Sequence, residues 1–254
     1  MTTASPDPGA LPVRLLRHEG WAEIVFNRPH RKNAIEGTFA QALLQALQNA
    51  EADDSLRALL LRGEGGTFCS GLDLQAFNAD PKPAWVAGFG PLWRQVHVAL
   101  ASTRKILLVA LERYAINGGA ALAIAGDVVI AGQSAKLQVG EIRLGMGAPN
   151  NLAWLLMRHS EAVAARLAIM GDRIDAAELL RLGVVTEVVN DDQVLARSQA
   201  LASEMAQWPI QGVNAIKPAL RTARLGMSPE QWFASFATPQ SPTPPRPSTL
   251  RSTT

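Results

Sequence analysis

The sequence predicts an α/β fold in which repeated strand-strand-helix units stack into a sheet-and-helix spiral, completed by a helical C-terminal region. Three observations carry this reading. Short strand patterns alternate with helical spacing through the first half of the chain, glycine-rich loops end the strands, and helical patterns dominate from about residue 152 onward. No repeat of fixed period accompanies the recurrence. With 254 residues, 48% of them hydrophobic, the chain can bury a substantial core as one large domain, or one domain with a small appendage. The organisation reads as a disordered leader over 1–12, a spiral core over 13–190, a C-terminal helical region over 191–237 and a disordered tail over 238–254.

The elements follow in order. "VRLLRHEG" and "WAEIVFNR" form two short strands around a Glu19-Gly20 turn, and Phe39, Leu43, Ala46, Leu47 and Ala50 then recur at helical spacing. "ALLLRG" is a buried strand that runs into the loop "GEGGTFCSGLDL", and residues 75 to 83 look like a polar loop. Trp85, Phe89, Trp93, Val96 and Leu100 mark a second long helix, and the strand "ILLVAL" leads to "NGGAALAIAGD" and its helix. "VVIAG" and "KLQV" read as strands, with Glu141 just past the second. Six helical stretches fill the remainder, interrupted by one strand, "GVVTEVV". Both termini are rich in Pro, Gly, Ser or Thr, the composition of segments too poor in apolar side chains to fold.

Composition removes several function classes. A formal net charge of +2, from 24 basic and 22 acidic residues without a Lys/Arg block, does not imply nucleic acid as a partner, but it suits a small anionic ligand such as a nucleotide-bearing thioester. Cys69 is the only cysteine, which excludes an internal disulfide and a multi-cysteine zinc site. The four histidines, His18, His30, His97 and His159, lack metal-ligand spacing, so no metal is expected. Without a signal-peptide pattern or an uncharged apolar stretch of spanning length, the chain is expected to be soluble and cytoplasmic, with no membrane partner.

Three segments become informative together: "NRPHRKNAI" at 27–35, "GEGGTFCSGLDL" at 63–74 and "AINGGAALAIAGD" at 115–127. With "GEIRLG" at 140–145 and "DRIDAAELLRLGVVTEVV" at 172–189, their order and spacing resemble the enoyl-CoA hydratase/isomerase family, the crotonases, over roughly residues 13 to 225. The resemblance implies the crotonase (ClpP-like) spiral fold and an acyl-CoA thioester substrate, with coenzyme A present only as part of that substrate and no separate cofactor. It also implies a homotrimer or homohexamer, for which the apolar C-terminal helices would supply the interface.

A thioester whose carbonyl becomes an enolate needs hydrogen-bond donors aimed at the developing oxyanion, and backbone N–H groups in glycine-rich turns can serve. By position, the resemblance assigns these donors to Leu72 and Gly118. It likens residues 28–32 and 70–74 to CoA-contacting loops, making Arg28, Arg31 and Lys32 candidates for the phosphates, alongside Ser70, Gly71, Leu72, Asp73 and Leu74. The three cations can equally be solvated surface charges. Asp73 is read as capping the turn that presents the Leu72 N–H, and Cys69, with no histidine nearby in sequence, as inert packing.

Hydratases of this family use two glutamates, whose positions here hold Ala121 and Glu141. Ala121 cannot move a proton. Glu141, isolated among apolar neighbours, reads either as a base with a pKa raised toward neutrality or as an exposed strand-end glutamate, and the resemblance favours the base. One carboxylate with an oxyanion hole suits enoyl-CoA isomerisation. Hydration without the first glutamate and a non-catalytic acyl-CoA-binding role are the alternatives. Further departures from the family pattern are Asn117 for the first glycine of a triplet, Arg113 for a common glycine and Ile106 for a proline. In "APNNLAWLL", Asn150, Asn151 and Trp154 approach the expected acyl pocket, with helix capping the favoured job of the asparagines. The C-terminal "FASFATPQSPTPPRPSTL" lacks the basic, aromatic segment that closes over CoA in relatives.

Overall fold

The computed structural model describes residues 11–237, so the expected tail over 238–254, and the expected leader apart from Leu11 and Pro12, lie outside the described residues. Val13–Arg17 (β1) and Trp21–Phe26 (β2) form an antiparallel hairpin, with Gly20 in the left-handed region at φ +76°. Gly37–Glu51 (α1) then crosses to Ala58–Gly63 (β3), which pairs in parallel with β2. Leu74–Phe77 (α2) is a short helix inside the stretch read as a polar loop, started by the Asp73 side chain accepting the Ala76 N–H. Trp85–Ser102 (α3) leads to Ile106–Leu111 (β4).

From here the chain alternates between two sheets. Tyr114–Ile116 (β5) enters a small sheet, and Gly118–Ile124 (α4) returns it to Val128–Gly132 (β6) beside β4. Lys136–Gln138 (β7) then pairs with β5. Pro149–Arg158 (α5) and Glu161–Ala168 (α6) precede Arg173–Asp175 (β8), Ala176–Arg181 (α7) and Glu187–Val189 (β9). The large sheet runs β1-β2-β3-β4-β6-β9 and the small one β5-β7-β8, which is the expected α/β spiral. β5 and β8 escape sequence reading because three residues are too few to display an alternation, and "GVVTEVV" contributes only its last three residues to a strand.

Strand alternation explains the core. Leu59 and Leu61 of β3 face the main core with Phe39 and Leu43 of α1, while Ala58 and Leu60 face the opposite layer. That second layer is closed by Val194, Ala202 and Met205 of Val194–Ala206 (α8). Coverage of both sheet faces is why the central strands read as continuous apolar runs. Ile210–Leu225 (α9) and Pro229–Ser235 (α10) complete the described chain, and Phe233 of α10 stacks on His97 and meets Trp154 edge-on. Among the described residues no helix is long and apolar enough to cross a membrane.

Candidate active site

The glycine loops meet at one corner of the spiral. Cys69 bridges Ala115 in parallel and its carbonyl accepts the Ile116 N–H, so the loop carrying Leu72 runs beside the segment that leads into Gly118. Gly71 is required here, since it sits at φ +86° and a Cβ would lie 2.7 Å from the Ile116 carbonyl oxygen. A Cβ on Gly119 would lie 2.6 Å from the Cys69 carbonyl oxygen and 3.0 Å from its Sγ, so the two segments approach this closely only because residue 119 has no side chain. Leu72 also bridges Ile35, with the Ile35 N–H donating to Gly71 O and the Asp73 N–H to Ile35 O. The Leu72 N–H itself donates to no acceptor among the described residues. Gly118 is the first residue of α4, where backbone N–H groups have no intrahelical partner.

Glu141 reaches this corner from the other side. It opens a 3-10 turn directly after β7, and at 9% exposure it is buried. Its Oε1 accepts the Asn151 Nδ2 hydrogen at 2.8 Å, while Oε2 is buried with no partner among the described residues. Burial pushes its pKa up to about 7, against the opposing pull of its own backbone N–H and the Asn151 amide.

Asn117 joins Glu141 to the glycine corner. It holds φ +49° with ψ −111°, outside the left-handed helical region and in a backbone setting that favours glycine. Its N–H donates to Gln138 O, its Oδ1 accepts the Gly140 N–H at 2.8 Å, and its carbonyl accepts the second Asn151 Nδ2 hydrogen at 3.1 Å. Arg113 likewise stands at φ +58°, the backbone reason a glycine would suit that position.

The cations near the loop divide into two kinds. Arg28 is mostly buried, pairing with Glu36 at 3.2 Å and Asp73 at 3.5 Å and donating to Ala34 O. Arg31 binds Asp73 at 2.8 Å and also reaches Gln75, but it remains partly exposed. Lys32 is exposed and has no ion pair among the described residues. The Ser70 N–H donates to Lys32 O, and Leu74 begins α2. Asp73 caps α2; burial works to raise its pKa, but the Arg31 hydrogen bond and the Ala76 N–H hold it below the usual carboxylate range.

Several expectations change. Asn151 caps nothing: Ala148 is the N-cap of α5 and no side chain caps it, and the buried Asn151 amide is committed to Glu141 and Asn117. Trp154 lies in the core, donating from Nε1 to His97 Nδ1 at 2.9 Å. His97 is wholly buried, and burial drives its pKa down to about 3. Ala121 is fully buried in α4, so that helix brings no carboxylate at this position. Cys69 is inert as read, its thiol raised to about 12 by burial and donating to Asn33 O. The feature of this corner that sequence reasoning missed is the Asn117–Asn151 link to Glu141, whose one legible signal was asparagine standing where glycine is usual.

A separate open groove of about 820 Å³ runs between α1 and α3, lined by Gln41, Gln45, Trp85, Leu92 and Gln95 among others. It contains neither Glu141 nor the glycine corner, and no carboxylate or cation lines it.

The chain is 35% identical over 213 residues to the 1,2-epoxyphenylacetyl-CoA isomerase of Escherichia coli (strain K12), covering 81% of this chain and 80% of that protein. It is 29% identical over 202 residues to the 2,3-dehydroadipyl-CoA hydratase of the same organism, covering 79% and 78%. The crystal structure of carnitinyl-CoA hydratase from Mycobacterium avium superposes with a TM-score of 0.77 at 28% identity, covering 89% of each chain. The model of the enoyl-CoA hydratase/isomerase family matches residues 17–235, so that a spiral with this strand order, carrying glycine loops that touch through backbone, belongs to the enoyl-CoA hydratase/isomerase (crotonase) family.

Proposed function

We propose that this chain is an enzyme of acyl-CoA thioesters that stabilises a thioester enolate with the Leu72 and Gly118 N–H groups and moves protons with Glu141. One observation carries the reading: Glu141 is a buried carboxylate held near neutrality, with one oxygen hydrogen-bonded and the other without a partner among the described residues. A base whose pKa matches the working pH can both take a proton and return it. Isomerisation of a 3-enoyl thioester is the favoured reaction. Glu141 Oε2 removes a proton from the α carbon, and the electron pair spreads into the thioester oxygen, where the two N–H groups hold the charge. The same oxygen returns the proton to the γ carbon, which moves the double bond into conjugation and leaves the mass unchanged.

Ala121 supports one-carboxylate chemistry over hydration. Coenzyme A enters as the thiol half of the substrate, and the scheme uses no other cofactor. Lys32 and the exposed side of Arg31 are the cations placed to meet its phosphates; Arg28, tied to Glu36 and Asp73, shapes the loop. A homotrimer or homohexamer fits the exposed Ile216 and Leu220, one helical turn apart on α9 at 63% and 67% exposure, and light scattering tests it.

The deciding experiment supplies a 3-enoyl-CoA and a 2-enoyl-CoA separately and follows product mass and conjugated-thioester absorbance. An isobaric conjugated product supports isomerisation, and a product one water heavier from the 2-enoyl thioester replaces it with hydration. Silence with both substrates, while CoA still binds, replaces it with a binding role. Turnover that survives Glu141→Gln removes Glu141 as the base.

A further inference from the structure

We propose that Asn151 is a positioning residue that holds Glu141 as a one-oxygen base and ties it, through Asn117, to the loop carrying the Gly118 donor. The inference rests on reading Glu141 as the base.

The amide orientation is settled by its surroundings. Asn151 Nδ2 faces two acceptors, Glu141 Oε1 at 2.8 Å and the Asn117 carbonyl at 3.1 Å, and reversing the amide would set Oδ1 against two oxygens. The side chain is 2% exposed and does not cap its own helix, so its hydrogen-bonding capacity goes to this corner. The bonds close a ring. Asn117 precedes Gly118, its Oδ1 holds the Gly140 N–H, Gly140 precedes Glu141, and Glu141 returns through Asn151 to the Asn117 carbonyl. A shift of the base relative to the oxyanion donor must break one of these bonds.

The choice of an amide has a chemical reason. An arginine or lysine could hold Oε1 as firmly, but its charge would pull the carboxylate well below neutrality and weaken it as a base. A neutral donor fixes the geometry and lowers the pKa only a little. It also leaves two buried acceptors open beside the bound pair, Glu141 Oε2 and Asn151 Oδ1. Where α4 contributes no carboxylate, the direction in which Glu141 presents Oε2 decides whether the proton is reached at all.

The test reads Glu141 directly, by carbon-13 NMR titration of the glutamate carboxyls in labelled protein, with Glu141→Gln identifying the resonance. Asn151→Ala is expected to raise the Glu141 midpoint by roughly one pH unit, the size set by losing a hydrogen bond to a charged group. With a 3-enoyl-CoA, kcat near neutral pH should fall about tenfold or more with KM changed less than about twofold, and part of the loss should return at higher pH. Asn151→Asp keeps the volume but removes the donor and adds a like charge, so the upper midpoint of the resulting pair should also rise, which covers a failure of the alanine variant to fold. An unchanged midpoint in either folded variant overturns the proposal. Turnover abolished by Glu141→Gln but unaffected by Asn151→Ala removes only this inference, whereas turnover surviving Glu141→Gln removes the base reading beneath it.

Discussion

Two carboxylates held inside this protein are treated in opposite ways. Glu141, at the glycine corner, has a neutral amide as its side-chain partner, and burial lifts its pKa to about 7. Asp127, at the end of α4, is pressed upward by burial too, but Lys217 at 2.6 Å and Arg158 at 2.6 Å overcome it and hold the group ionised below the usual range. Burial in turn draws Lys217 down to about 8, with Asp127 pulling it back up. Asp127 also accepts the Leu107 N–H and so joins α9, α5 and β4. One group is kept able to exchange a proton and the other is kept charged as an anchor. Glu141 is buried and Asp127 half-buried, its side chain 23% exposed, and what sends the two in opposite directions is the partner's charge.

The largest effect expected from breaking this contrast is at Glu141. Glu141→Gln should lower turnover by about 10²- to 10⁴-fold, measured by product mass. Wild-type activity should fall as pH drops through about 7, because the base must be deprotonated to act. Stability should run the other way. The folded value lies above the ordinary 4.5, so the folded state binds the proton more tightly, and stability declines as pH rises from about 4.5 toward 7 and stays lower above it. The glutamine variant should therefore melt at a higher temperature than wild type at pH 8.

Next in size is the donor half of the same corner. Gly71→Ala places a methyl against the Ile116 carbonyl and strains a positive-φ residue, so the Leu72 N–H should be displaced, with a loss of about 10²- to 10³-fold in kcat. At the anchor, Lys217→Met leaves Asp127 with Arg158 alone, and the cost should be stability, about 3 kcal/mol by chemical denaturation, with kcat nearly unchanged. A comparable loss of kcat would mean that the two regions are not separable. The smallest effect is expected at Cys69, which sits in the corner but is buried with its thiol raised to about 12: an alkylating reagent should leave the native enzyme unlabelled and active.

Much of this was legible in the chain itself. Continuous apolar runs such as "ALLLRG" predict strands covered on both faces, and 3.6-residue spacing locates α1 and α3, because local periodicity reports which face a segment buries. The glycine loops and the isolated Glu141 could be read because backbone approach demands glycine and because a carboxylate among apolar residues is unusual. Of the small sheet only β7 was legible; β5 and β8 were not, since three residues show no alternation and their pairing is set by segments more than 20 residues away.

The sequence by itself determined the α/β spiral, the family and the missing carboxylate at Ala121, since each is written in local pattern or in a single residue type. Tertiary structure alone decided what the polar side chains do. Asn151 reads as a helix cap in sequence and becomes the donor to Glu141 only because α5 packs against α4 beside the turn after β7. Arg28 reads as a phosphate ligand and is drawn into Glu36 and Asp73 by the loop fold. A hydrogen bond between residues 34 positions apart leaves no periodic trace, because its partners are chosen by the packing of whole elements.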